Sequence, residues 1–119
     1  MHELPVVEDL IKTLDRESEE KNITGIKTIN LRIGELSGII GECVQMYFDI
    51  LSKGHSSEKA VLSITHVPAM LKCENCGKEF PHEKSFDCPD CGSMGKLIKG
   101  SGREFMLESV EAEEYVAHL

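Results

Sequence analysis

The sequence has no tryptophan, few other aromatic residues and fewer basic than acidic residues. It contains four Phe and two Tyr among 119 residues, and 13 Lys and Arg against 21 Asp and Glu give a formal net charge of −8. A nucleic-acid-binding surface needs clustered basic side chains, usually with aromatic rings that stack on bases. We therefore expect no nucleic-acid partner, and basic protein surfaces are better matched to this charge.

Long apolar segments are also missing. No stretch approaches the roughly 20 apolar residues that span a bilayer, and the N-terminus lacks a positive leader followed by an apolar core and a cleavage site. We expect no membrane association and a cytoplasmic location. No Ser-His-Asp or Cys-His set and no phosphate-binding Gly-Lys loop can be identified, so the sequence does not indicate an enzyme.

Four of the five cysteines form two C-x-x-C-G motifs with eleven residues between the second and third cysteines; they are Cys73, Cys76, Cys88 and Cys91. Turns of this kind direct backbone amides at sulfur, and two facing turns place four thiolates at tetrahedral corners, where Zn–S distances are about 2.3 Å. Four protein ligands leave no open position on the metal, which is typical of a structural site. The spacing predicts a zinc ribbon.

Two other interpretations of the cysteines remain open. The first is two disulfides, or unpaired cysteines that bind no metal; disulfides would suit an oxidising compartment, whereas the expected cytosolic location keeps thiols reduced. Iron in a rubredoxin-like site is the closer alternative, but rubredoxins are richer in aromatic residues around the metal, and only Phe80 and Phe86 lie between these cysteine pairs. Zinc is therefore favoured over iron, and a colourless purified protein would agree with it.

The N-terminal tripeptide Met1-His2-Glu3 is a second candidate metal site. The α-amine, the His2 backbone nitrogen and the His2 ring nitrogen can close two fused chelate rings around one divalent cation. Nitrogen-rich tetragonal sets suit Ni(II) or Cu(II). Binding must displace protons from the amine and the imidazole, so we expect acidification to loosen the ion.

Hydrophobic periodicity gives the order helix, strand, helix, strand, ribbon, strand. The fold class that follows is α+β: a three-stranded sheet backed by two helices, with an inserted zinc-ribbon module. We expect residues 1–69 plus 103–119 to form one domain and residues 70–102 to form the ribbon, with the acidic C-terminal end frayed. The predicted elements are a helix from about Leu4 to Glu20, a strand over Lys27–Glu35, a helix from about Ile40 to Ser52, a strand from about Ala60 to Val67 and a strand from about Arg103.

Three motifs in this order resemble the HypA/HybF nickel chaperones, which are hydrogenase maturation factors. They are Met1-His2-Glu3, the stretch Leu31-Arg-Ile-Gly-Glu-Leu-Ser37 and the paired cysteine motifs. The resemblance covers nearly the whole chain. It implies a nickel metallochaperone that captures a transferable Ni(II) at its N-terminus, carries a structural Zn(II) in the ribbon and delivers nickel to the large subunit of a NiFe hydrogenase with a partner GTPase. Some relatives also serve urease, and a homodimer is an option that the sequence leaves open.

The resemblance implies nickel ligands at the terminus. They are the α-amine of Met1, the backbone and ring nitrogens of His2 and the backbone nitrogen of Glu3, whose carboxylate is expected to steady the turn. Some relatives add an acidic side chain from the loop after the first strand. Here Ile40 occupies the nearest position and Glu42 follows two residues later, so a fifth ligand is not expected.

Three further residues have metal-binding side chains. We expect His66 to be a surface or hinge residue and His82 to face water, although His82 is the better candidate to join the zinc shell if a cysteine leaves. Cys43 is expected to be a small buried residue of the second helix. The alternative function is a zinc-ribbon adaptor with no nickel role.

Overall fold

The structure is a computed structural model that describes residues 3–113 and the backbone of residues 116–118. The order of helices, strands and ribbon agrees with the prediction, and the α+β class is confirmed. The elements are α1 (Glu3–Glu20), β1 (Ile26–Gly34), α2 (Gly41–Leu51), β2 (Val61–Val67), β3 (Met70–Cys73), β4 (Glu79–Pro81), β5 (Gly95–Leu97), β6 (Phe105–Ala112) and β7 (Val116–His118).

The larger sheet has four strands in the order β2-β1-β6-β7. Three of them are the predicted strands, but the expected number was wrong because β7 pairs antiparallel with β6. The expectation of a frayed C-terminal end was wrong for residues 116–118. The outer edge of β6 presents backbone groups that a returning chain can pair with, and such pairing does not depend on the acidic composition that suggested fraying.

The strands β1 and β2 are parallel, whereas β1 and β6 are antiparallel. A parallel pair requires a crossover connection that passes over one face of the sheet. The helix α2 forms this crossover, so its apolar side packs on the sheet. The segment from β1 to α2 is consequently brought to the end of the sheet where β1 stops.

The main core lies between the two helices and one face of the sheet. Residues spaced three and four apart on α1 are buried, as the periodicity predicts, except that Leu4 is 39% exposed and the stripe begins at Val7. Alternate residues of β1 face the same core. The core includes Val7, Leu10, Ile11 and Leu14 from α1, Ile29, Leu31 and Ile33 from β1, and Val44 and Phe48 from α2. In the described part of the chain, neither helix is long and apolar enough to cross a bilayer.

The inserted segment forms a second sheet, with strand order β4-β3-β5. Its small core contains Leu71 and Phe80 beside Cys73 and Cys88. The whole molecule is elongated, with principal extents of 53 × 27 × 18 Å and a radius of gyration of 17.5 Å.

The end of β1 lies against both segments that connect the two sheets. The Gly34 N–H donates to the Glu104 carbonyl at 2.7 Å, the Leu36 N–H donates to the Gly102 carbonyl at 2.6 Å, and the Glu35 N–H donates to the Val67 carbonyl at 2.8 Å. A methyl group at Gly34 would overlap the backbone carbonyl of Gly102. Glycine is required here for space, because the two backbones approach too closely for any side chain.

Replacing Gly34 by alanine should force these backbones apart. We expect Gly34→Ala to lower the free energy of unfolding by about 1–3 kcal/mol, the usual effect of forcing extra volume into a close-packed site. Urea denaturation of the metal-loaded protein measures this change. Ser63→Ala, at an exposed position of the neighbouring strand, is the control and should change stability by no more than about 0.5 kcal/mol. Equal stability of the two variants would contradict the close approach.

Candidate metal centre and the N-terminal region

The structure brings the four predicted cysteines together. Their sulfur atoms all lie within 4.8 Å of one another, with Cys73 Sγ 3.3 Å from Cys91 Sγ and Cys76 Sγ 3.6 Å from Cys88 Sγ. A disulfide bond is about 2.05 Å long, so none of these pairs is bridged. Zn–S bonds of about 2.3 Å in a tetrahedron place the sulfurs about 3.8 Å apart. The cluster therefore fits a zinc ribbon.

Each cysteine pair is held by a turn that ends on a glycine. Gly77 and Gly92 adopt φ values of 78° and 77°, a left-handed conformation that glycine tolerates best. Their N–H groups donate to the carbonyls of Cys73 and Cys88 at 3.1 and 2.9 Å. In the first turn, the amides of residues 75 and 76 both point at Cys73 Sγ at 3.4 Å. Backbone donors of this kind stabilise thiolate ligands.

The electrostatics of the cluster favour a bound cation. The backbone N–H of Ser93, followed by the Cys73 thiol, lowers the pKa of Cys91 to about 6. The backbone N–H of Lys78 favours ionisation of Cys76, but partial desolvation of the sulfur and hydrogen bonds with the three neighbouring thiols outweigh it and raise the Cys76 pKa to about 12. One thiolate therefore disfavours the next, because like charges this close repel. A divalent metal allows all four to ionise together.

Burial divides the cluster into two halves. Cys73 and Cys88 are buried beside Phe80, whereas Cys76 and Cys91 are exposed. Lys78 Nζ lies 3.0 Å from Asp90 Oδ1 and links the two turns, although an ion pair this exposed contributes little stability. The donor set is complete with four sulfurs, so the arrangement suits a structural metal such as zinc and offers no site for a substrate.

Of the predicted nickel ligands, Met1 and His2 lie outside the described residues. Glu3 is the first residue of α1, and its Oε2 accepts a hydrogen bond from the Ile40 N–H at 2.9 Å. This contact joins the start of the chain to the loop before α2. The Ile40 side chain is 58% exposed and has no donor atom, and Glu42 is exposed on the first turn of α2.

Glu35 is a residue whose role the sequence analysis did not identify. Its Oε1 accepts a hydrogen bond from the Ala69 N–H at 2.6 Å and lies 3.1 Å from His82 Nδ1. The Ala69 amide is the main cause that lowers the Glu35 pKa, burial opposes it, and His82 adds a smaller lowering. The only signal in the sequence was its position inside the Leu31–Ser37 motif. Glu35 fixes the entrance to the ribbon against the end of β1.

The other three candidate ligands lie outside the cysteine cluster. His82 lies between Glu35 and the Phe86 ring, whose centroid is 4.8 Å away, so its imidazole is engaged outside the cysteine cluster. His66 is exposed at the end of β2, and Cys43 is half-buried rather than fully buried.

One protein family matches both the N-terminal region and the cysteine ribbon. A family model described as "Hydrogenase/urease nickel incorporation, metallochaperone, hypA" matches residues 1–112. The chain belongs to the HypA family. The match runs from the N-terminal tripeptide through the cysteine ribbon to the end of β6. The family is described as a metallochaperone and not by a catalysed reaction.

Individual HypA proteins cover the chain almost completely. A hydrogenase maturation factor HypA from Caldanaerobacter subterraneus subsp. tengcongensis is 41% identical over 114 residues, which are 95% of this chain and 100% of that protein. One from Nostoc sp. is 40% identical over 114 residues, 96% of this chain and 97% of that protein.

The solution structure of the Ni metallochaperone HypA from Helicobacter pylori aligns with a TM-score of 0.62 at 24% identity, over 94% of this chain and 97% of that chain. A second structure, titled "Solution structure of HypA protein", aligns with a TM-score of 0.65 at 24% identity, over 94% of this chain and 96% of that chain. At this identity the two structures support the fold.

The Glu35 contacts can be tested by titration. We expect NMR of the metal-loaded protein to give Glu35 a pKa below its ordinary value of 4.5, and His82→Gln to restore only the smaller part of the shift, because the Ala69 N–H remains. Since the folded-state pKa is the lower one, the contact stabilises the fold above the unfolded-state pKa, and this contribution is lost as the pH falls through the folded-state pKa. An unshifted Glu35 pKa in the wild type would contradict the geometry.

Proposed function

We propose that this protein is a nickel metallochaperone that binds Ni(II) at its N-terminus and delivers it during maturation of NiFe hydrogenase, with urease as a further nickel enzyme served. The observation that carries the proposal is the family match over residues 1–112, which includes both the N-terminal tripeptide and the four cysteines. The name of the Helicobacter pylori relative, a Ni metallochaperone, supports the same function.

The proposed nickel ligands are the α-amine of Met1, the backbone and ring nitrogens of His2 and the backbone nitrogen of Glu3. An amide in the first turn of a helix is not part of the helical hydrogen-bond ladder. The use of the Glu3 nitrogen as a ligand therefore removes no hydrogen bond from α1. The Glu3 carboxylate is anchored to the Ile40 amide, which ties the ligand-bearing residues to the loop before α2.

The proposed zinc ligands are the four cysteine thiolates described above. Their separations and backbone donors support a structural Zn(II). We further propose that residues 70–102 form a zinc-ribbon domain and that residues 1–69 plus 103–119 form the nickel-binding domain. Two buried clusters support this division, one between the helices and the larger sheet and one beside the cysteines.

The proposed partners are a nickel-handling GTPase of the hydrogenase maturation system and the large subunit of NiFe hydrogenase. The net charge of −8 favours basic protein surfaces over nucleic acid. A cytoplasmic location, where reduced thiols are available to bind zinc, belongs to the same proposal. A second copy of this chain is a further proposed partner, and the mass of the protein in solution would show whether a homodimer forms.

Replacing His2 by alanine should abolish stoichiometric Ni(II) binding, because the variant loses the imidazole that closes the chelate. Isothermal titration with Ni(II) measures this loss, and zinc content should remain at one ion per chain. Acetylation of the α-amine should have the same effect, and His82→Ala should bind nickel normally. Retained tight nickel in His2→Ala would refute the site. An adaptor without a nickel role predicts no stoichiometric nickel even in the wild type.

Replacing Cys76 by alanine should remove zinc and disorder the ribbon, because three thiolates and one exposed position hold the metal less tightly. Zinc analysis and NMR signals of the ribbon residues measure the two effects. Cys43→Ala is the matched control, since Cys43 lies on α2, and it should keep zinc. Full zinc content in Cys76→Ala would contradict the four-cysteine site, and a coloured, redox-active wild type would identify iron.

A further inference from the structure

The strand β2 is an open edge of the larger sheet. The strand order β2-β1-β6-β7 gives β2 only one neighbour, and in the described part of the chain no other strand pairs with its outer side. The opposite edge strand, β7, has three residues, whereas β2 has seven. An unpaired edge of this length presents a row of backbone donors and acceptors to another strand.

The β2 edge has none of the usual features that prevent edge pairing. Natural edge strands are commonly short, charged, bulged or interrupted by proline. The sequence of β2 is VLSITHV, which contains no Lys, Arg, Asp, Glu or Pro. Its register with β1 runs from Val61 to Val67 without a shift, whereas the β1–β6 register shifts twice. The Val61 side chain is 63% exposed. The edge is therefore straight, uncharged and accessible.

The register determines which backbone groups of β2 point outward. The Val67 carbonyl accepts a hydrogen bond from the Glu35 N–H, so the backbone groups of Val67 face β1. Backbone groups of successive residues in a strand point to opposite edges. Those of Leu62, Ile64 and His66 therefore face the open side, and each of these residues presents one N–H and one carbonyl.

These outward groups match those of a second copy related by a two-fold axis at Ile64. Antiparallel pairing about this axis places Ile64 opposite Ile64 and Leu62 opposite His66. The two residues of such a pair exchange two backbone hydrogen bonds, so every outward group of β2 finds a partner. An axis at Thr65 would instead place Leu62 opposite Pro68, which has no N–H to donate.

The side chains that meet in this register are also compatible. On the face of the sheet away from the helices, Ser63 lies opposite Thr65 and Val61 lies opposite Val67. Hydroxyl pairs and β-branched pairs stabilise adjacent strands, and like charges directly opposite each other destabilise them. Since β2 has no acidic residue, Lys or Arg, two copies can pair without bringing such charges together.

We propose that two copies of this protein pair through β2 and join their four-stranded sheets into one sheet of eight strands. Both copies contribute the same surface, as a two-fold interface requires. This inference rests on the homodimer of the proposed function and names the surface that forms it. One pair of strands makes a small interface, so the association is reversible. The ribbon follows the end of β2, and antiparallel pairing places the two ribbons at opposite ends of the paired sheet.

Sedimentation equilibrium and amide hydrogen exchange of the zinc-loaded, nickel-free protein test the pairing. About 0.15 M salt limits the repulsion between two chains of net charge −8. We expect the mass to rise from one chain toward two with protein concentration. Exchange of the outward amides of Leu62, Ile64 and His66 should slow in parallel, whereas the amides of Ser63 and Thr65, which face β1, should be protected at every concentration.

Two double variants test the register. Ser63→Lys with Thr65→Lys places lysine opposite lysine in both flanking pairs, and its matched control, Ser63→Lys with Thr65→Glu, places lysine opposite glutamate. Both positions are exposed, so both variants should fold. We expect the dissociation constant of the first dimer to be about tenfold higher than that of the control. The first variant is the less negative chain, so overall repulsion between chains would give the opposite order.

Three results would overturn the inference. A single-chain mass at every concentration would exclude the pairing. A dimer whose Leu62, Ile64 and His66 amides exchange as fast as in the monomer would form through another surface. Equal dissociation constants of the two variants would contradict the register. None of these results involves nickel, which the titration of His2→Ala tests separately, so the failure of edge pairing and the failure of the nickel function are distinguishable.

Discussion

The close approach of backbones at the end of β1 joins the cysteine ribbon to the larger sheet. Gly34 lies against Gly102, and Glu35 accepts hydrogen bonds from Ala69 and His82, so the segments that lead into and out of the ribbon are attached at one place. The next five residues lead to Ile40, whose amide binds Glu3. The segment 34–40 therefore contacts the entrance to the ribbon through its first two residues. Its last residue contacts the start of α1.

The two proposed metal sites hold their ions by different chemistry. Four thiolates that repel one another need a cation to ionise together, and they surround it completely, which is suited to an ion that stays with the protein. The proposed N-terminal ligands are nitrogens on the first residues of the chain, and they do not form a closed set of thiolates. An ion held by them would be accessible to a receiving protein. The two donor types also differ in the metals they suit, since thiolates suit soft ions or zinc and a planar nitrogen set suits Ni(II) or Cu(II).

The sequence was sufficient to predict features that depend on local spacing. The three-and-four periodicity on α1, the alternation in β1 and the C-x-x-C-G repeats each specify which side chains share a face or a turn, and the structure confirms them. Contacts between distant segments were not predictable in this way. The pairing of β7 with β6, the parallel arrangement of β1 and β2 and the carboxylate contacts of Glu3 and Glu35 depend on how elements meet after the chain has folded. The spacing of residues along the sequence does not show which distant group a polar side chain such as that of Glu3 or Glu35 will contact.

The elongated shape affects how assembly will be measured. A compact protein of this length has a radius of gyration of about 13–14 Å, whereas this one has 17.5 Å, because the small sheet extends away from the larger one and not over it. A monomer of this form diffuses more slowly than a sphere of equal mass and elutes from a sizing column at the position of a larger protein. Light scattering or sedimentation equilibrium, which report mass independently of shape, are therefore the methods that distinguish a single chain from a pair.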